Sequence, residues 1–189
     1  MKLYQSDASP NSRRVRIFLA EKGISMPIVP VDLGAKEQFS DGYAAINPRR
    51  VVPTLVLEDG TAIGEVPAIL RYLDEIHSDP PLLGATPKSR ALVTMWERRA
   101  ELEGFASVME AVRNAVPGLK SRAIAGPHDY DQIPALVERS TAGQELLRGL
   151  RHQARRCSVH CGRRILGRRH YGRRHRRLCD QGSRPSDHG

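Results

Sequence analysis

The first 33 residues constrain the fold more than any other part of the chain. Lys2 to Tyr4 reads as a short strand, and Ser9-Pro10-Asn11-Ser12 supplies helix-start chemistry for the stretch Arg13 to Lys22. Val15, Phe18 and Leu19 share one face of that stretch, and Gly23 is a good stop. Pro27 to Leu33, rich in Val and Ile, is a second strand. A strand, a helix and a strand in so short a length form a βαβ unit, with parallel strands and a right-handed crossover.

The pattern continues in the same style. Lys36 to Ile46 reads as an irregular helix ended by Asn47-Pro48, and Thr54 to Leu57 and Thr61 to Ile63 flank Asp59-Gly60, a strong hairpin signal. Glu65 to His77 repeats Ile69, Leu70, Leu73 and Ile76 at helical spacing, so its apolar stripe should lie on the sheet. The order β-α-β-α-β-β-α over residues 1–80 predicts an α/β, thioredoxin-like domain with a mixed four-stranded sheet. Pro80, Pro81, Gly84 and Pro87 mark residues 81–87 as a linker. Lys88 to Val116 then reads as one long helix, broken by Pro117-Gly118, and Tyr130 to Ser140 begins another. Residues 88–140 are thus expected to form an all-α C-terminal domain that is truncated or incomplete.

Charge separates the body from the tail. The formal net charge is +9 and the pI near 10.0, values that ordinarily point to a polyanion partner. Residues 151–189, however, hold 12 Arg against Asp180 and Asp187, leaving 18 basic and 19 acidic residues in 1–150. The body is not basic, and Cys157, Cys161 and Cys179 all lie in the tail, so the body needs neither disulfide nor thiolate chemistry of its own. No stretch is apolar enough to span a membrane, and MKLYQSDASP lacks the pattern of a secretory signal. The expected location is cytoplasmic.

Several ordered motifs together resemble the glutathione transferase superfamily over about residues 1–140: K-L-Y at the start, S-P-N-S-R-R-V-R-I-F-L-A-E-K-G, I-N-P-x-x-x-V-P-T-L, D-G-T-A-I-G-E-x-P-A-I-L-R-Y-L, and the proline-rich linker. The first site stands on physics as well. Ser9, Asn11 and Ser12 sit where a strand's carboxyl end meets a helix N-terminus, a place that favours anions and eases ionisation of a thiol. The resemblance puts the sulfur-contacting residue here, with Ser9 and Asn11 as candidates and Ser12 next; the competing reading is that Ser9 only caps the helix.

The resemblance assigns two further elements. Val52, before Pro53 in an expected cis bond, inherits the pairing with the cysteinyl backbone of glutathione. Glu65 stands where the family reads Glu-Ser at a helix mouth and binds the γ-glutamyl end; here Val66 replaces the serine, so a hydroxyl worth about 1 kcal/mol is lost. The carboxylate can still pair with the glutamyl ammonium and the Val66 N–H can still meet the carboxylate. As an alternative, Glu65 simply favours the helix dipole. Arg50 departs from the small residue usual in the family before V-P.

The resemblance implies a glutathione S-transferase: glutathione as cosubstrate, a small electrophile or disulfide as the second substrate, a homodimer, and no metal or nucleotide cofactor. A thioredoxin-fold binding module without chemistry is the rival. For the Arg-rich residues 141–189 three readings compete: a nucleic-acid-binding arm, a His/Cys metal cluster, or coding sequence read out of register. The metal reading lacks a paired second half, since Cys157, His160 and Cys161 stand alone at usual spacings. The third reading leads. With CGN arginine codons, Val159 to Gly172 read one base later permits F-I-A-G-D-E-F-S-V-A-D-I-T, which resembles the family's second-domain helix start with its capping box. A polar tail of this composition is expected to lack a fold.

Overall fold

The computed structural model describes residues 1–138 and 148–149, and residues 1–138 belong to one compact unit. The four strands are β1 (Lys2–Gln5), β2 (Ile28–Pro30), β3 (Thr54–Val56) and β4 (Ala62–Ile63), in sheet order β2-β1-β3-β4. β1 and β2 are parallel, with Leu3 beside Ile28, while β1/β3 and β3/β4 are antiparallel, with Leu3 beside Leu55 and Leu55 beside Ile63. This is the mixed thioredoxin-like sheet that the order of elements predicts.

Alternation along β1 builds two cores, because successive side chains leave a strand on opposite faces. Leu3 and Leu55 are fully buried against α1 (Pro10–Lys22) and α3 (Val66–Ile76) through Val15, Phe18, Leu19, Ile69 and Leu73. On the other face Tyr4 packs with Val31, Val52 and Tyr43 of α2 (Asp41–Ile46). Each fully buried Leu or Ile is worth about 1.5–3 kcal/mol, so the first cluster anchors the molecule.

α1 begins at Pro10, three residues before the expected start at Arg13, because Ser9 caps it and proline at the first position needs no N–H partner. It ends as expected at Gly23, whose φ of +65° suits glycine, with the Ile24 N–H bonded to the Leu19 carbonyl at 2.9 Å. The segment expected as one helix over Lys36 to Ile46 is divided. A 3-10 turn at Glu37–Phe39 precedes α2, and extended Ser40 between them caps α2 through its hydroxyl to the Tyr43 N–H at 3.2 Å. β2 is shorter than the apolar run Pro27 to Leu33, since only residues opposite β1 are paired.

Beyond α3 the chain is irregular up to Thr86, which forms a capping box with Ser89 at the start of α4 (Pro87–Arg99). The long helix expected over Lys88 to Val116 runs without a break over residues 87–115, as α4, a π-helical segment Ala100–Phe105 and α5 (Ala106–Ala115). The helix expected from Tyr130 to Ser140 is a 3-10 turn at Pro134–Val137 as far as it is described, and Arg122 and Tyr130 are joined by an isolated bridge before it. Pro134, the fifth residue of the expected helix, lacks the N–H that would bond to the Tyr130 carbonyl, and the Ile133 N–H donates instead to the Asn114 side chain of α5. The readings made on the Arg-rich tail, the shifted frame, the metal cluster and the nucleic-acid arm among them, lie outside the described residues. Among the described residues no helix is long and apolar enough to cross a membrane.

Candidate functional site

Strand β1 ends in a short loop that is tied to the first turn of α1. Ser6 donates its N–H to the Ser12 hydroxyl at 3.2 Å, and Ser12 donates its N–H to the Ser9 hydroxyl at 3.3 Å. Ser12 is fully buried and lies off the cavity described below, so its hydroxyl holds the loop rather than meeting a ligand. Ser9 caps the helix and also lines the cavity. Its oxygen accepts in the cap, which leaves the hydroxyl proton to be donated. Asn11, half-buried beside it, accepts from Arg14 at 3.3 Å through Oδ1 and keeps its Nδ2 donors.

The second wall is the loop before β3. Val52–Pro53 is a cis peptide, as expected. A buried polar network holds the preceding residue: the Tyr43 hydroxyl donates to the Val51 carbonyl at 2.7 Å and lies 3.0 Å from the Thr54 hydroxyl. Asn47 Nδ2 donates to the Val51 carbonyl at 3.0 Å and to Thr54 at 2.8 Å. Burial raises the Tyr43 phenol above its ordinary pKa, against the opposing effect of the bonds to Thr54 and Asn47. All these bonds converge on Val51 and Thr54, and none engages the N–H or C=O of Val52.

Glu65 is the N-cap of α3 in a conformation that a non-glycine residue rarely adopts, φ +61° and ψ +123°. Its carbonyl accepts from Ala68 and Ile69, while its exposed side chain makes no capping bond, so the carboxylate is not occupied with its own helix. Val66 is buried with Pro67 after it, and among the first two residues of α3 only Val66 has an N–H to offer.

Ser9, Asn11, Val52, Pro53, Glu65 and Val66 line one cavity of about 650 Å³. Its opposite wall comes from the helical region: Glu101 and Phe105 of the π-helical segment, Met109, Val112 and Arg113 of α5, and Arg122. Arg14 connects the walls, 3.8 Å from Glu97, 3.9 Å from Glu101 and 5.5 Å from the Phe105 ring centre. Burial and the neighbouring Arg122 lower the pKa of Arg113. Gln38 also lines the cavity; it is buried and its Oε1 has no hydrogen-bond partner among the described residues. Another cleft, about 760 Å³, lies along Arg71, Asp74 and Glu97 and contains none of the predicted site residues.

Sequence reading missed Gln38, Arg113 and Arg122. None belongs to a local motif, and Arg122 sits on an irregular segment where periodicity gives no signal. Phe105 and Met109 carry a helical signal, but that signal cannot say whether they face a core or a cavity.

Comparison with known proteins agrees with this geometry. Residues 3–81 match the family model described as glutathione S-transferase, N-terminal domain. The chain is 34% identical over 151 residues to glutathione S-transferase 2 of Saccharomyces cerevisiae, covering 70% of this chain and 65% of that protein. It is 45% identical over 95 residues to maleylacetoacetate isomerase of Rattus norvegicus, covering 49% of this chain and 44% of that one. The chain thus spans less than two thirds of these relatives' length. A solved glutathione S-transferase domain-containing protein of Marinobacter aquaeolei superposes with a TM-score of 0.69 at 36% identity, over 77% of this chain and 70% of that one. Gtt2 of Saccharomyces cerevisiae gives 0.67 at 32%, over 77% and 71%. With the sheet order, the cis Val52–Pro53 loop and the strained helix mouth at Glu65 all in place, similarity on this scale over most of another chain establishes that this protein belongs to the glutathione S-transferase superfamily.

Proposed function

We propose that the cavity binds glutathione and activates its thiol for attack on an electrophilic or disulfide substrate. The observation that carries this reading is the convergence on one cavity of three different kinds of group suited to a γ-glutamyl tripeptide: the Glu65 carboxylate with the Val66 N–H, the unengaged Val52 backbone, and the Ser9 and Asn11 donors. Glu65 pairs with the glutamyl ammonium, the Val66 N–H with its carboxylate, and Val52 with the cysteinyl backbone beside Pro53. Gln38 offers its free acceptor to an amide N–H of the peptide. The sulfur then lies at the mouth of α1, where Ser9 or Asn11 donates to the thiolate while the thiol proton leaves to water. The thiolate forms the new bond to carbon or sulfur, and the leaving group departs with the electron pair of the broken bond.

Residues 1–80 serve in this reading as the glutathione-binding domain and 88–140 as the partial helical domain that faces the second substrate. The relatives named as glutathione S-transferase and maleylacetoacetate isomerase support glutathione-dependent chemistry. A homodimer in the cytoplasm follows the family resemblance. Calorimetry on Glu65→Lys tests the assignment, since it replaces attraction with repulsion at the ammonium. Affinity for glutathione should fall at least tenfold; a variant that binds like the parent would remove Glu65 from the site. Loss of the serine hydroxyl at Val66 favours a second reading, a glutathione-binding module without turnover. Binding with no rise of thiolate absorbance at neutral pH would select it.

A further inference from the structure

The far wall of the cavity is apolar along one line and cationic at its end. Phe105, Met109 and Val112 follow one another at helical spacing and all line the cavity, and Arg113 lies beside the last of them. Phe105 marks the end nearest the thiol, because Arg14 contacts both its ring and Asn11. Eight residues of helix separate Phe105 from Arg113, a rise of about 12 Å.

Arg122 joins Arg113 at that end. The Arg113 side chain donates to the Arg122 carbonyl at 2.9 Å, and the Arg122 guanidinium stacks on the Phe39 ring at 4.2 Å. The segment carrying Arg122 is fixed to the end of α5: Gln132 donates to the carbonyls of Arg113 and Val116, both at 2.8 Å, and the Ile133 N–H donates to Asn114 at 2.7 Å. Among the described residues no carboxylate lies within ion-pair distance of either guanidinium, although each retains unused N–H donors. Two like charges held together on a fixed frame, one of them half-buried, repel each other unless an anion lies between them.

We propose that Arg113 and Arg122 form an anion subsite for the second substrate, which is an electrophile with an apolar body along Phe105, Met109 and Val112 and a carboxylate or sulfonate at its far end. The inference rests on the glutathione reading above. Guanidinium is suited to this role because it takes a planar acid through two parallel N–H bonds and cannot be deprotonated out of it at neutral pH.

Binding, not turnover, tests it. Calorimetry with the full chain compares glutathione, S-(carboxyoctyl)glutathione and the methyl ester of that conjugate, whose chain length suits the distance to Arg113. The free acid should bind at least about tenfold more tightly than its ester. Arg122→Gln and Arg113→Met should each abolish that preference while leaving the affinity for plain glutathione and for the ester unchanged. The acid and ester comparison needs no variant, so it stands even if Arg113→Met folds poorly. Equal binding of acid and ester, with glutathione still bound, would overturn the subsite and leave the proposed function intact. Weaker binding of plain glutathione in Arg122→Gln would assign the arginines to the tripeptide's own glycyl carboxylate, which also overturns it. A parent protein that binds neither glutathione nor the conjugates would fail the underlying reading and this one with it.

Discussion

Asn47 shows how much of the site depends on one side chain that touches no ligand in the proposed arrangement. Its Nδ2 reaches both the Val51 carbonyl and Thr54, in a place where water cannot substitute, and its Oδ1 accepts from the Arg49 N–H at 3.0 Å. Asn47→Ala should therefore lower stability by about 1–3 kcal/mol, measured by urea unfolding, and weaken glutathione binding by loosening the loop at Val52. Glu65 makes a complementary case, because a side chain at φ +61° strains the backbone. Glu65→Gly should be more stable than Glu65→Ala by about 1 kcal/mol, while both lose glutathione affinity; equal urea midpoints would show that the helix mouth stores no strain. Tyr43 supplies a pH signature. Its folded pKa is raised by burial, so its contribution to stability is complete below about pH 10 and declines as pH rises through the higher folded value. Tyr43→Phe should flatten the alkaline limb of a stability profile. The places of Ser9, Val52 and Glu65 at the ends of elements were legible in the sequence because the local signals there are strong, while the roles proposed for them rest on the family resemblance. Ser12 stood in the same motif, but only the fold could show that its hydroxyl points into the loop.

At the scale of elements the strands, α1 and α3 were legible, since each carries its own periodicity and stop signals. The errors fell where a tertiary contact decides the backbone. A single helical stripe over Lys88 to Val116 cannot reveal the π-helical segment Ala100–Phe105, in which a wider turn takes in about one extra residue and shifts the register of the side chains. Here Glu101 and Phe105 both meet Arg14 of α1, contacts that tie the helical region to the helix mouth. Lys22 is another tie that periodicity does not announce. Its side chain is fully buried beside Asp74 of α3, and its ammonium donates to the Pro80 carbonyl at 2.8 Å and to the His77 carbonyl. It thus joins the last turn of α1 to the end of α3 and to the segment leading towards α4. Lys22→Met should cost about 3–5 kcal/mol, because it strands a partly buried carboxylate and open carbonyls. Lys22→Met with Asp74→Leu should recover part of that loss. An additive double-mutant cycle would mean that the pair is not coupled.

Over the whole described unit, burial is concentrated in the sheet and the two helices on its first face. Leu3, Leu55, Ile69 and Leu73 are fully covered, whereas α4 buries no residue and Leu92, Met95 and Leu102 are 47%, 44% and 57% exposed. Trp96 and Phe105 are half-covered, each with an arginine over its ring, Arg99 at 4.9 Å and Arg14 at 5.5 Å. Such cation–π contacts add about 0.5–1 kcal/mol at exposed sites, less than the 1.5–3 kcal/mol of a buried apolar side chain. The helical region therefore rests on a few polar ties and a partial apolar face, and it should open without unfolding the sheet. Native-state hydrogen exchange is expected to find the slowest amides in β1, β3 and α3, intermediate protection in α1, and faster exchange across α4 and the π-helical segment. Saturating glutathione should slow exchange around Val52 and at the start of α3 most. The acidic conjugate, if held by Arg113 and Arg122, should in addition slow α5. Uniform protection of α4 and the sheet would show that the helical region unfolds only with the core, and the Arg14 ties to Glu97 and Glu101 would then have to be stronger than surface ion pairs allow.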